Sequence, residues 1–310
     1  MTALEQLMEE GTIGDPCSSL KWKRKSLRRL SAALAPVHSA SAPTVGRLLE
    51  ELDYSRKVNR KQLGSAHPNR DEQFQYLSAQ KQTFLQRGWP VIYVDSKKRE
   101  LVGAFKNTGA IWCRDPHKVN VYDFPSLSEG VALPYGIYDP MRNTGFVFVG
   151  TSSDTSEFAV DAIKWWWNTY AQANYSDAPE LLILADGGGS NGCRPRLWKY
   201  TLQHRLVNPT GIVVTVCHYP TGASKWNWVE HRLFGPISVN WVGEPLTSYN
   251  KILNFLNATT TQKGLVVKAT LSETIYKTGI KITDEQMSSL NLIRHSTLPK
   301  WNYTIKPSSK

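Results

Sequence analysis

The chain has 310 residues, 41% of them hydrophobic and 11% aromatic with 11 Trp, which excludes an intrinsically disordered chain and leaves room for one sizeable core plus small modules. Its 37 Lys+Arg against 26 Asp+Glu give a formal charge of +11, an excess that attracts polyanions such as nucleic acid. No run of 18 apolar residues occurs and the acidic start lacks a secretory pattern, so a membrane span is excluded and a cytoplasmic location is expected. The cysteines Cys17, Cys113, Cys193 and Cys217 lie too far apart in sequence for a zinc or redox motif and are read as reduced thiols.

Residues 1–20 read as a tail and residues 21–66 as a small helical module. The basic segment Lys21, Lys23, Arg24, Lys25, Arg28 and Arg29 leads into Leu27, Leu30 and Leu34 at helical spacing. Beyond residues 36–39, Ser41 is placed to cap a second helix, with Pro43 in its first turn and Val45, Leu48, Leu49 and Leu52 on one face. Two short helices about a turn, flanked by positive charge, suggest a helix-turn-helix; any small helical bundle is the plain alternative. Arg47 and the basic residues Arg56, Lys57, Arg60 and Lys61 favour DNA, because phosphate contacts come mostly from Lys and Arg, and Lys25, Arg28, Arg29 and Arg47 are the expected contacts. Residues 67–90 read as a polar linker helix opening near Asn69–Glu72.

From residue 91 buried strands alternate with helices. Val91–Val94 is β-branched and aromatic and ends at Asp95, which reads as a central strand delivering a carboxylate. Tyr135–Tyr138 and Phe146–Val149, separated by a turn-rich connection, fit an antiparallel hairpin. Asp154–Glu157 resembles a capping box for a helix through Ile163 and Trp166. Leu181–Leu184 is a strand ending at Asp186, Arg196–Val207 a helix, Ile212–Val216 a strand, and Asn227–Phe234 a helix carrying Glu230. The order implies a mixed α/β sheet over residues 91–257, with residues 258–310 as a C-terminal extension.

Asp95 and Asp186 each stand where a hydrophobic strand stops, beside the crevice that α/β sheets use for function. Phosphoryl transfer on DNA needs hard oxygen ligands for two Mg²⁺ ions, and three carboxylates from separate elements supply them. Each residue also has a plain reading. A strand-end Asp is often a turn former, and a helical Glu is usually solvated or paired, here with His231 or Arg232. Gly187–Gly192 matches the dinucleotide pattern G-x-G-x-x-G, but the next strand ends Val216-Cys217-His218 without the acidic ribose partner. The glycines are expected instead to let DNA backbone, or the protein's own backbone, pass close.

At these residues the chain resembles the Rhodopirellula-type DDE transposases of bacterial insertion sequences. The resemblance spans roughly residues 25–305 and rests on Val94–Lys98 with Leu101–Gly103, on 181–192 with Arg196–Lys199, and on Ser224–Asn227, Glu230–Phe234, Asn240-Trp241 and Pro245-Leu246. It implies an RNase H-like fold, Asp95, Asp186 and Glu230 as the acidic triad, and Mg²⁺ as cofactor, with Mn²⁺ as a substitute. It also implies double-stranded DNA as partner, at transposon ends and target, and a homodimer or larger assembly on DNA near the nucleoid. Lys97, Lys98 and Lys225 are expected to hold phosphates or to be solvated, and Trp226 to pack beneath its helix or to stack on a base. Two departures stand out: Trp228 replaces a common proline, and Asp53 a common glycine. Members usually begin with more N-terminal sequence, so part of the end-recognition module is expected to be missing. An RNase H-like nuclease that only hydrolyses, and a non-catalytic DNA-binding repressor, are the competing functions.

Overall fold

The structure, a computed structural model, describes residues 2–9, 13–14, 21–22, 26–55 and 67–308. The chain divides into two compact units, residues 1–62 and 63–310.

The smaller unit contains helices α1 (Thr2–Glu9), α2 (Leu27–Leu34) and α3 (Ala42–Glu51), and a short antiparallel pair, β1 (Ile13–Gly14) with β2 (Lys21–Trp22). Serines open two of the helices: the Ser26 hydroxyl accepts from Arg29 N and that of Ser41 from Thr44 N, both at 3.3 Å. The apolar spacing closes a core of Leu4, Leu30, Leu34, Val45 and Leu49. Leu4 lies in the segment read from sequence as a tail, so that reading is corrected: α1 supplies the third wall that two short helices need to bury their apolar faces. Just past α3, Asp53 sits in left-handed backbone at φ 62°, the conformation that makes glycine common there. Arg28, Arg29 and Arg47 are exposed. Lys23, Arg24, Lys25, Arg56, Lys57, Arg60 and Lys61 lie outside the described residues.

The larger unit is built on a mixed sheet. In chain order its strands are β3 (Val91–Ser96), β4 (Glu100–Val102), β5 (Gly130–Asp139), β6 (Thr144–Gly150), β7 (Glu180–Ala185), β8 (Val213–His218), β9 (Val266–Ser272), β10 (Leu292–Arg294) and β11 (Asn302–Ile305). Their spatial order is β10-β11-β8-β7-β3-β5-β6-β9, with β4 on β5. β3, β7 and β8 run parallel, whereas β5 is antiparallel to both β3 and β6. The five central strands therefore read 3-2-1-4-5 with only the second reversed, which is the RNase H-like arrangement.

Strand periodicity sorts the core into two layers. Ile92, Val94, Leu181 and Ile183 pack with Phe158, Trp166, Trp198 and Leu206 from α5 (Ser156–Trp166) and the helix over residues 196–207. Val91, Tyr93, Leu182 and Leu184 face the other way, onto Leu77 and Phe84 of α4 (Arg70–Gln86) and onto Val229, Leu233 and Phe234. Gly136 and Gly145 let that last segment lie directly on β5 and β6, since a Cβ at either would collide with Phe234 or Leu233.

Four expectations are corrected. The linker helix is a core element: Gln73, Leu77 and Phe84 of α4 are buried, and Gln73 Nε2 donates to His218 O and Asn302 Oδ1, each at 2.8 Å. The extension 258–310 belongs to the sheet, because β9 pairs with β6 and β11 with β8. β5 begins at Gly130, five residues before the expected start. The cap of α5 is Thr155, whose hydroxyl accepts from Phe158 N at 3.2 Å, while Glu157 pairs with Arg205. No helix among the described residues is long and apolar enough to cross a membrane.

Candidate active site

Asp95 stands in β3 one residue beyond the hydrogen-bonded pair Val94–Ala185, and Asp186 directly follows β7. Parallel pairing of those strands brings the two carboxyl groups to one end of the sheet. The segment 228–234 carries Glu230 to the same place, near enough for its carboxyl to raise that of Asp95. Glu230 opens a π-helical stretch, Glu230–Phe234. Such widened turns recur at functional sites.

The electrostatics are those of crowded anions. Burial, then the negative charge of Asp186, pushes the Asp95 carboxyl up to about 8, against a hydrogen bond from Ser96 N at 2.8 Å; Glu230 raises it further. Burial likewise raises Asp186, with Glu230 adding to it and Asn227 opposing. Burial also drives the Tyr135 hydroxyl well above its ordinary value, helped by Asp95 and Asp154. Among the described residues no Lys or Arg offsets the rise at either Asp, so the carboxyl groups favour the protonated form.

Asn227 ties the three elements together. Its buried amide donates to Val94 O and to Asp186 Oδ1, both at 3.1 Å, and its side-chain oxygen accepts from Val229 N at 3.4 Å. One side chain thus spans the end of β3, the end of β7 and the start of the Glu230 segment. In the sequence Asn227 stands only as the start of the expected Glu230 helix and as the end of the resembling stretch Ser224–Asn227. The available signal was its place just ahead of a helix, where Asn serves as a cap. His218 secures Asp186 from the other side: its Nδ1 lies 3.0 Å from Asp186 O and its Nε2 3.3 Å from the Tyr303 hydroxyl. Burial lowers His218 to about 3, so the ring is neutral and Nδ1–H donates to the carbonyl.

The glycine loop after Asp186 packs on its own backbone. A Cβ at Gly192 would stand 2.9 Å from Gly187 O and 2.9 Å from Gly188 C, and one at Gly187 3.0 Å from Tyr219 O. Of the two roles expected for these glycines, close approach of the protein's own backbone is the one these contacts describe. Lys199 Nζ closes the loop by donating to Cys193 O at 2.6 Å, and Asn191 Nδ2 donates to the Tyr135 hydroxyl at 3.3 Å. The hydroxyls of Ser96 and Ser190 are buried and have no hydrogen-bond partner among the described residues.

The expected lysines diverge. Lys97 is engaged by Glu100 at 2.6 Å, Lys98 is exposed, and Lys225 is exposed with its ammonium 4.1 Å from the Trp226 ring centre. Trp226 packs on Phe74, 5.4 Å between ring centres. Trp228, in the place of a common proline, stacks flat on Tyr93 at 5.3 Å and 6°.

Among the described residues no group of three His, Cys, Asp or Glu side chains is posed to hold one metal ion in common. Mg²⁺ does not require that, since it keeps several waters and takes one or two carboxylates together with substrate phosphate oxygens. The donor chemistry fits such an ion: hard carboxylate oxygens, mutually repelling.

The sequence matches the family described as Rhodopirellula transposase DDE domain over residues 3–307. No curated protein matches it. Similar solved structures include the Mos1 transposase paired-end complex with left transposon end, at 14% identity over 82% of this chain and 69% of that one, TM-score 0.46. Another is the Mos1 strand transfer complex, at 13% identity over 82% and 68%, TM-score 0.46.

Proposed function

The chain belongs to the Rhodopirellula transposase DDE domain family, and from that membership we propose that it cuts DNA at transposon ends and joins the freed 3′-hydroxyl to target DNA. Asp95, Asp186 and Glu230 are the residues that would hold the divalent metal, two Mg²⁺ ions or Mn²⁺ in their place. The observation that carries this reading is the convergence of three carboxyl groups, from two strand ends and one helix, each Asp raised by burial and by its acidic neighbours.

The chemistry that divalent cations supply at such a set is Lewis-acid stabilisation of the attacking and leaving oxygens of an in-line phosphoryl displacement. In the first displacement water oxygen bonds to phosphorus and the P–O3′ bond breaks. In the second the 3′-hydroxyl attacks a target phosphorus and a target 3′-oxygen leaves, so no covalent enzyme intermediate forms. Asn227 fixes the relative position of Asp186, Val94 and the Glu230 helix, and neutral His218 pins the Asp186 backbone. Positioning of this kind carries much of the rate in phosphoryl transfer. Exposed Arg28, Arg29 and Arg47, with Lys25, Lys98 and Lys225, contact DNA phosphates. At least two copies assemble on paired ends.

The test is cleavage and strand transfer on labelled duplex carrying the flanking element end, comparing wild type with Asp186→Asn and Glu230→Gln. The expected result is cutting and joining with Mg²⁺ by wild type, and DNA binding without either reaction by both variants. Cutting without joining would reduce the assignment to a hydrolytic nuclease. Identical behaviour of all three proteins, binding without cutting, would replace it with a repressor.

A further inference from the structure

Beside the carboxylates lies a group of four cations, of which only Lys225 has been given a part so far. Arg70, Phe74, Leu77 and Lys81 recur every three or four residues and so share one face of α4. That face meets the approach to Glu230. The Arg70 guanidinium lies 4.7 Å from the Trp226 ring centre and 5.6 Å from that of Phe74. The Lys225 ammonium lies 4.1 Å from the same indole. Further along, Trp228 has Tyr93 stacked on its ring, the Lys81 ammonium 4.5 Å from its centre and the Arg232 guanidinium 5.7 Å away.

Among the described residues none of these four cations pairs with a carboxylate, whereas Lys97, Arg196, Arg205 and Lys251 all do. The difference is physical. An indole face orients a cation and leaves its charge intact, whereas a carboxylate cancels it. Four oriented, uncancelled charges therefore flank a trio of acids that would otherwise repel a phosphodiester. Arg70 and Lys81 are eleven residues apart on one helix, about 16 Å. That matches roughly five phosphate steps along one strand of duplex DNA.

We propose that Arg70, Lys81, Lys225 and Arg232 form a phosphate-docking rim that seats the sugar-phosphate backbone of duplex DNA against the acidic site, with Trp226 and Trp228 as the struts that hold the charges. Arg70, Lys81 and Arg232 are new to the site; the proposal rests on the DNA-processing reading above. Seating is independent of sequence, because phosphates are what the rim meets.

The experiment measures binding of a fluorescent random-sequence duplex by the full chain in EDTA, across 50–200 mM salt, so that catalysis plays no part. Arg70→Gln, Lys81→Gln and Arg232→Gln are each expected to lower the slope of log affinity against log salt by about 0.9, so that each variant's deficit narrows by about 3.5-fold over that range. Lys251→Gln, which removes a cation already paired with Glu244, is expected to leave the slope unchanged. Lys81→Arg is expected to retain it, which separates lost charge from lost packing. Wild-type slopes in all three glutamine variants, with wild type binding DNA, would overturn the rim and leave the transposase reading intact. Failure of wild type to bind duplex, or preference for an acidic polypeptide over it, would overturn both.

Discussion

Replacing Asn227 by aspartate keeps the shape of the side chain and removes both of its donors. The new carboxylate would face Asp186 Oδ1 across the 3.1 Å now bridged by an amide hydrogen, and Val94 O across the other 3.1 Å. Two unit charges at that separation repel by about 5 kcal/mol at an effective dielectric near 20. The site can escape by protonating one of them, and holding a carboxyl of ordinary pKa neutral at pH 7 costs about 4 kcal/mol, which caps the penalty. Asn227→Asp is therefore expected to lose up to about 4 kcal/mol of stability at pH 7, less where the already raised Asp186 takes the proton. Because the folded-state pKa of the added group is raised, its protonated form is favoured in the fold. The penalty is therefore smallest near pH 4 and grows by about 1.4 kcal/mol per unit as pH rises. The assay is urea unfolding in EDTA with a double-mutant cycle through Asp186→Asn, whose amide can donate to the new carboxylate. A coupling of about 3 kcal/mol is expected from that restored bond and the removed charge. Equal penalties in the two backgrounds, within about 0.5 kcal/mol, would refute the account of Asn227 as the strut of the site.

Asp95→Asn should stabilise the metal-free protein. The folded pKa is raised to about 8, so stability falls as pH rises from about 4 to 8, and the gain from the amide is largest at and above pH 8. Thermal midpoints at pH 5 and pH 8.5 in EDTA, and again with Mn²⁺, where the gain should reverse, check this. His218 works in the opposite sense: lowered to about 3, it keeps the fold more stable above pH 6.5 and loses that contribution as pH falls toward 3. His218→Gln should be less stable at pH 7 but show a shallower acid slope between pH 6.5 and 4; parallel slopes would count against a buried neutral ring. Asp53→Gly should add about 0.5–1 kcal/mol to the smaller unit by relieving the left-handed φ of 62°, measured by urea unfolding of the full chain. Gly192→Ala should cost about 1–3 kcal/mol, since its Cβ meets backbone that cannot turn aside, and a neutral thermal midpoint would contradict the tight loop.

The central strands were legible because their residues alternate between two buried layers, which leaves β-branched and aromatic runs with few other uses. Asp95 and Asp186 were legible for the same reason, as polar residues at abrupt ends of such runs. Glu230 was not distinctive by itself, and only its family resemblance singled it out. Asn227 was missed because its importance lies in partners 133 and 41 residues away, Val94 and Asp186, which no local pattern encodes. α4 read as a linker because its polar residues surround the stripe, yet Gln73 is a buried polar group satisfied wholly by distant atoms of β8 and β11. Arg70, Lys81 and Arg232 were overlooked on similar grounds: a Lys in α4 acquires meaning only when Trp228 is laid against it.

The placement of β11 beside β8 has a consequence for how the protein is made. Tyr303 pairs with Val216 and Asn302 with Cys217, so the rail that β8 offers is filled by chain synthesised 85 residues later. At ribosomal rates of about 5–20 residues per second, that rail stands open for roughly 4–17 s. During that time it is an unpaired edge that another nascent chain could copy. Gln73 and the carbonyl of His218 must also wait for Asn302 before their shared network closes. A ribosome that stalls before residue 302 therefore releases a sheet with a sticky margin rather than a smaller working enzyme.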